Sequence, residues 1–421
     1  MTKIIKPHEW ELLPLDEVFD IARGGSPRPI KKYLTDDENG INWIKIGDTK
    51  HVTKYIYKTK QKIIKEGLTK SQVVIENDFI LSNSMSFGRP YIMRTSGCIH
   101  DGWLLLRKKL DNTSVDFMYY LLSSDVIKNQ FKNKAAGSTV QNLNIKLVSS
   151  VQALIPTYPE QQKIADILST VDEKIEIIDQ QIIETERLKK GLMQRLLTKG
   201  IGHVEFNDSH LGKIPKSWEV STLVKHIKLF SGFAFKSDGF NEEGKGHKVL
   251  RGINITEGAL RWNDKIDKWW DLPFEDVHRY SACLGDLVIS MDGSKVGRNY
   301  ARVKECDLPL LIVQRVACLR AKESLDLDYL HHIIGSPLFT NYVDAVKTSS
   351  GIPHISSKNI KDFHIPFPPV NEQKKIAEIL NSIDDKTICL NNKRIEYTRL
   401  KSGLMQQLLT GKIKVSNLVE V

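Results

Sequence analysis

Apolar residues at Ile164, Leu168, Val171, Ile175, Ile178 and Ile182 are separated by alternating steps of four and three. That spacing draws one narrow stripe along an α-helix, the seam of a coiled coil rather than the broad face of a short amphipathic helix. Leu188, Leu192 and Leu196 carry an apolar stripe onward, Gly200 suits a stop, and Pro159 suits a first helical position. The pattern returns at Ile376, Leu380, Ile383 and Leu390, followed by Leu400, Leu404 and Leu408, with Gly411 beyond and Asn371 in the place of an N-cap. Each predicted helix has about 40 residues and, if continuous, spans roughly 60 Å. Gly191 and Gly403 are points where it could bend.

The two helices are copies of one another. Residues 160–200 align without a gap on 372–412, at an offset of 212 residues and with roughly half the positions identical. The first opens EQQKIADIL and closes RLKKGLMQRLLT; the second opens EQKKIAEIL and closes RLKSGLMQQLLT. The duplication continues more faintly upstream: Trp10-Glu11 answers Trp218-Glu219, Gly24 answers Gly232, residues 77–82 answer 285–290, and Gly88-Arg89 answers Gly297-Arg298. The chain therefore reads as globular domain (1–158), helix (159–203), globular domain (204–370), helix (371–421). A single seam would favour a homodimer. Two in one chain give each helix a partner at high effective concentration, and the intervening domain leaves room for an antiparallel return.

Within the globular halves, short β-like runs such as 73–75, 79–81, 104–106, 287–289 and 310–313 alternate with helical stretches at 117–131 and 329–346, each followed by a polar glycine loop. A mixed α/β (α+β) fold is expected for each. The net charge of +10 raises the prospect of a polyanionic partner. Basic and aromatic residues interleave at Lys31-Lys32-Tyr33, Trp43-Ile44-Lys45, residues 54–58, and Arg261-Trp262 with Lys265, Lys268, Trp269 and Trp270, which suits phosphates and bases but is also the make-up of a solvated face. The better-placed candidates for DNA contact sit at equivalent places or on the glycine loops: Lys45, Ser84, Arg89, Ser138 and Thr139 in the first half, and Arg251, Ser294, Lys295, Arg298 and Ser350 in the second.

Other chemistry is poorly supported. The five cysteines are scattered and read as buried thiols of a reducing compartment. The run GFNEEGKG at 239–246 ends in glycine where a phosphate-binding loop needs Ser or Thr, and no Asn/Asp-Pro-Pro-aromatic signature of an adenine methyltransferase is present. His100-Asp101 and His331-His332 complete no catalytic or metal constellation. No secretory signal or membrane span is evident, so a cytoplasmic, nucleoid-associated protein is expected.

The motifs Ile155-Pro156, Glu160-Gln161 with KIADIL, and GLMQRLLT, repeated as Ile365-Pro366, Glu372-Gln373 with KIAEIL, and GLMQQLLT, resemble the conserved regions of Type I restriction-modification specificity (S) subunits, the HsdS family. The resemblance covers the whole chain in organisation and is specific in the helical regions. It implies two target-recognition domains, each reading half of a split site in double-stranded DNA, held apart by paired antiparallel helices. It also implies a non-catalytic subunit that binds two methyltransferase (M) subunits, which restriction (R) subunits join. S-adenosylmethionine, ATP and magnesium would then be used by those partners, with no cofactor bound by this chain. The competing reading is a duplicated coiled-coil scaffold that does not touch DNA.

Overall fold

The computed structural model describes residues 9–83, 87–135, 142–273, 275, 277–348 and 351–415. The chain forms two compact units, residues 1–179 with 392–421, and residues 180–391. Both divisions fall inside the long helices, Tyr158–Lys199 and Val370–Leu408. Each unit thus holds one globular domain, the start of the helix that follows it and the end of the other.

In the first unit, Trp103–Lys108 lies between Phe19–Arg23 and Phe79–Ser82 in a five-stranded, mostly antiparallel sheet completed by Pro90–Met93 and Tyr55–Ile56. Successive side chains on a strand face opposite ways, and here both faces are covered. Leu104, Leu106, Phe79, Leu81 and Ile92 pack on the helices Val115–Ser123 and Asp125–Ala135 through Phe117, Leu121, Ile127 and Phe131. Their neighbours Trp103, Leu105, Ile80, Tyr91 and Met93 pack instead with Ile44, Val74 and Ile99, which belong to a smaller sheet built from Ile41–Ile44, Gln61–Ile63, Gly97–Ile99, Gln72–Val74 and Leu34–Thr35.

The second unit repeats the plan. Val316–Ala321 lies between Ile227–Ser231 and Leu287–Ser290, with Tyr300–Arg302 at the edge. Leu287, Ile289, Ala317 and Leu319 meet the helices Leu327–Ile334 and Pro337–Val346, while Val288, Val316 and Cys318 meet Leu250 and Ile312 of a smaller sheet formed by Trp269–Trp270, His247–Leu250 and Leu310–Ile312. The helical stretches expected as single pieces at 117–131 and 329–346 are each two helices. Ser124 turns extended and its Oγ accepts from the Ile127 N–H; Ser336 caps the next helix through the Leu338 N–H, with Pro337 in the first turn. A serine cap with proline behind it is a stronger signal than the apolar period running through it.

The long helices pair antiparallel within each unit. In the first, Asp172 meets Lys401 (2.6 Å) and Asp179 meets Arg394 (2.5 Å), with Ile164, Ala165 and Leu168 in one core with Leu408 and Leu409. In the second, Lys189 pairs with Asp384, and Met193, Leu196 and Leu197 share a core with Ile376, Ala377 and Leu380. Of the expected seam, Ile164, Leu168, Val171, Ile178, Ile376, Leu380 and Leu390 are buried, and Ile175, Ile182 and Ile383 are half-buried. Leu188 and Leu400 depart from expectation: they are 50% and 49% exposed, because buried Thr185 and then half-buried Lys189 continue the seam's period past Leu188, as half-buried Tyr397 and Lys401 do past Leu400. Asn371 is not the cap either. The helix starts at Val370, and the Pro369 carbonyl accepts from the Glu372 and Gln373 N–H groups. Gly200 and Gly411 do close the helices, both at positive φ.

Candidate DNA interface

The duplicated residues form a duplicated set of contacts. Trp10 Nε1 donates to Glu160 Oε2 (3.1 Å), and Trp218 Nε1 donates to Glu372 Oε2 (2.9 Å). Gln161 accepts from the Ser114 N–H and donates to the Asn112 and Pro156 carbonyls; Gln373 accepts from the Asp326 N–H and donates to the Ser324 and Pro368 carbonyls. Each Glu-Gln pair at a helix start thus clamps that helix to the domain before it. Inside each domain a buried aspartate caps a turn and holds an arginine bidentately: Asp78 with Arg107 (2.9 and 2.6 Å), Asp286 with Arg320 (2.8 and 2.7 Å). Burial, the Asp286 charge and its hydrogen bond push the Cys318 thiol far up, so it stays protonated. The expectation of five buried thiols fails elsewhere, since Cys283, Cys306 and Cys389 are exposed.

The arginines of the repeated Gly-Arg pairs are engaged within the protein. Arg89 donates to the Val52 carbonyl (3.0 Å) and lies over Tyr91; Arg298 forms a bidentate pair with Asp344, which holds that carboxyl well below its usual range. The glycines have a packing reason of their own. Gly88 and Gly297 have positive φ, and a Cβ there would strike Phe131 and Val343 of the adjoining helices. Lys45 and Arg251 occupy equivalent places, just before a short 3₁₀ turn; Lys45 donates to Gln61 Oε1 (2.7 Å) and Arg251 to the Ile266 carbonyl (2.5 Å). Ser294 and Lys295 are exposed on the turn that leads to Arg298. Ser84, Ser138, Thr139 and Ser350 lie outside the described residues.

Cations without a carboxylate partner among the described residues are found elsewhere. Lys31, Lys32, Lys50, Lys58, Lys60 and Lys65 are exposed on and around the smaller sheet of the first unit, a segment (28–70) that carries eleven Lys and Arg against five Asp and Glu. Lys54, in the same run, is taken up by Asp116 (2.7 Å) beneath Tyr55, Tyr119 and Tyr120. The equivalent segment of the second unit (236–278) carries seven basic against nine acidic residues; there the aromatic rings of Phe233, Phe235, Phe240, Trp270 and Tyr280 cluster at centroid distances of 4.8–6.5 Å. The basic and aromatic runs at Lys31-Lys32-Tyr33, 54–58 and 261–270 pointed to these segments in the sequence, but which of their lysines lack a carboxylate depends on contacts distant in sequence.

Residues 239–246 do not form a phosphate cradle. They wrap on Asn241, which accepts from the Glu243 and Lys245 N–H groups, and lead into a strand rather than a helix. Among the described residues no cluster of three or more His, Cys, Asp or Glu is placed to hold a metal, and no helix is long and apolar enough to cross a membrane.

A family model for the Type I restriction modification DNA specificity domain matches residues 7–187 and again 215–397. The chain belongs to this family. The MjaVIII specificity subunit of Methanocaldococcus jannaschii is 27% identical over 420 residues, covering 98% of this chain and 95% of that protein. The EcoKI specificity subunit of Escherichia coli K12 is 22% identical over 435 residues, covering 97% and 90%. A solved chain from work on complex assembly and conformational transition of the type I R-M system shares the fold with a TM-score of 0.63 at 18% identity, covering 97% of this chain and 99% of that one. The S subunit from M. genitalium does so at 0.56 and 17%, covering 96% and 97%. As a Type I specificity subunit, the protein is a non-catalytic component of its system, and the doubled match coincides with the doubled framework of clamps and ion pairs.

Proposed function

We propose that this specificity subunit reads a bipartite DNA target, one half with each repeated domain, and docks two methyltransferase subunits, a complex that restriction subunits then join. The observation that carries the reading is the contrast between a framework duplicated bond by bond and two small-sheet surfaces that have diverged in charge and aromatic content. Selection for one site would favour one surface; two different surfaces on one framework suit two different half-sites. Exposed Ile183 and Leu188 recur at the offset of the repeat as exposed Ile395 and Leu400, which supplies equivalent apolar positions for two copies of one partner. Catalysis, with S-adenosylmethionine, ATP and magnesium, rests with those partners. Lys45, Arg89, Arg251 and Arg298 serve DNA contact to the extent that their internal partners release them, and Ser294 and Lys295 are exposed on their turn.

The test is to co-express the chain with its methyltransferase subunit in a host lacking such systems and to map modified bases across the genome. A single split motif with methyladenine in each half is expected. An unmodified genome, with the two proteins soluble and associated, would overturn the reading in favour of a scaffold that does not address DNA.

A further inference from the structure

The two small sheets have equivalent topology. Ile41–Ile44 runs parallel to Gly97–Ile99 and antiparallel to Gln61–Ile63; His247–Leu250 runs parallel to Leu310–Ile312 and antiparallel to Trp269–Trp270. The chemistry they carry is opposite in kind. Around the first, six exposed lysines have no carboxylate partner among the described residues, and the local balance is strongly basic. Around the second, the balance is slightly acidic. Lys268 is taken up by Glu242, and Lys245 by Glu243 at 2.5 Å. What stands out there is the half-exposed aromatic cluster, with Phe233 37% exposed, and Lys236, Arg279 and Arg315 exposed close by in sequence to its rings or on the turn hydrogen-bonded to them. Arg315 sits at φ 71°, and the neighbouring Gln314 N–H donates to the Phe233 carbonyl.

The same sheet also concentrates unsatisfied polar atoms. Trp270 Nε1, His247 Nδ1 and Arg251 Nε are buried without a hydrogen-bond partner among the described residues. A buried polar group left unpaired is costly, so a polar ligand that rearranged this sheet would recover that cost.

We propose that the two half-sites are held by different chemistry: the first domain grips its half-site through phosphates with Lys31, Lys32, Lys58 and Lys60, and the second holds its half-site by stacking and apolar contact on Phe233, Phe235, Trp270 and Tyr280. This rests on the bipartite reading above. Phosphate contacts release counterions and so weaken steeply with salt. Aromatic contact with sugars and bases adds affinity with little salt dependence and is sensitive to local base stacking.

The experiment measures the affinity of the subunit, in complex with its methyltransferase, for a duplex carrying the mapped motif across a salt series. Changing Lys31, Lys32, Lys58 and Lys60 together to Ala is expected to lower the slope of log K against log salt by about 3.6, at about 0.9 for each of the four phosphates no longer neutralised. The pair Phe233→Ser and Tyr280→Ser is expected to weaken binding about tenfold or more with the slope unchanged, and to weaken discrimination at the second half-site alone. Phe235→Leu, which keeps apolar volume and removes the ring, carries the test if the double variant melts early or no longer holds its methyltransferase. Equal loss of slope in both sets, or an aromatic set that binds and discriminates like the parent, would overturn the inference. A parent complex with no salt-dependent affinity for DNA would sink the bipartite reading itself, a distinguishable result.

Discussion

Gln373 is fully buried and satisfies three backbone groups from two separate segments. Gln373→Leu would fill the space but strand the Asp326 N–H and the Ser324 and Pro368 carbonyls. A loss of at least about 2 kcal/mol is expected in denaturant unfolding, and Gln161→Leu should cost a similar amount for the same reason. The sequence displayed this pair as a motif, EQ at each helix start, without displaying its task, since two of each glutamine's three partners lie 47 and 49 residues away. His331 is the opposite case, a residue whose neighbours in space were invisible in sequence. Burial pushes it down to about 4 from an ordinary 6.5, assisted by His332, Lys189 and Arg302 and opposed by Asp384; Tyr300 packs against its ring and its Nδ1 has no partner among the described residues. The unfolded chain takes up this proton as pH falls through about 6.5, while the folded chain resists until about 4. Stability is therefore complete above that window and lost within it as pH falls. Between pH 7 and 5 the loss from this group should be about 2 kcal/mol. His331→Tyr, which installs the residue found at the equivalent Tyr119, should flatten the fall in melting temperature across that range; an unchanged profile would remove His331 as its source.

At the scale of the element, the long helices were the most legible part of the chain, because a seam repeating every seven residues has few structural solutions. What the period did not reveal was where the seam changes hands. It continues through Thr185 and Lys189 in one helix and Tyr397 and Lys401 in the other, residues that a search for aliphatic repeats passes over, and this leaves Leu188 and Leu400 facing outward. The two kinds of leucine separate in experiment. Leu168→Ala and Leu380→Ala, each at a fully buried position, should destabilise the protein by about 2–5 kcal/mol. Leu188→Glu with Leu400→Glu should leave the melting temperature within a degree or two of the parent, yet prevent co-purification of the methyltransferase subunit. Retained association would place the docking surface elsewhere on the chain. The small sheets were the least legible elements. Strands of two to four residues carry too little pattern, and the parallel pairing at the centre of each small sheet joins residues more than fifty apart, as in Trp43 with Cys98 and Val249 with Leu311.

For the molecule as a whole, the division into units has a consequence for how specificity could be changed. Each unit combines one globular domain with parts of both helices, and the contacts that tie a domain to the helix after it are the same in both copies: an indole on the helix's glutamate, and a glutamine bracket on the two segments flanking it. Because these contacts use residues common to the repeat rather than residues of the variable surfaces, a domain from another family member that keeps the Trp, Glu and Gln should seat without redesign. Replacing residues 1–158 in this way is expected to change one half of the methylated motif and leave the other half and the spacing intact. Inserting one heptad into each long helix at equivalent places keeps the seam in phase, lengthens each by roughly 10 Å at 1.5 Å per residue, and should change only the number of base pairs between the halves. Both outcomes are read from the same methylation map. If the domain exchange altered both halves, or the insertion altered the bases within a half, then recognition would depend on the two domains jointly, and the repeated framework would be a folding device rather than a modular reader.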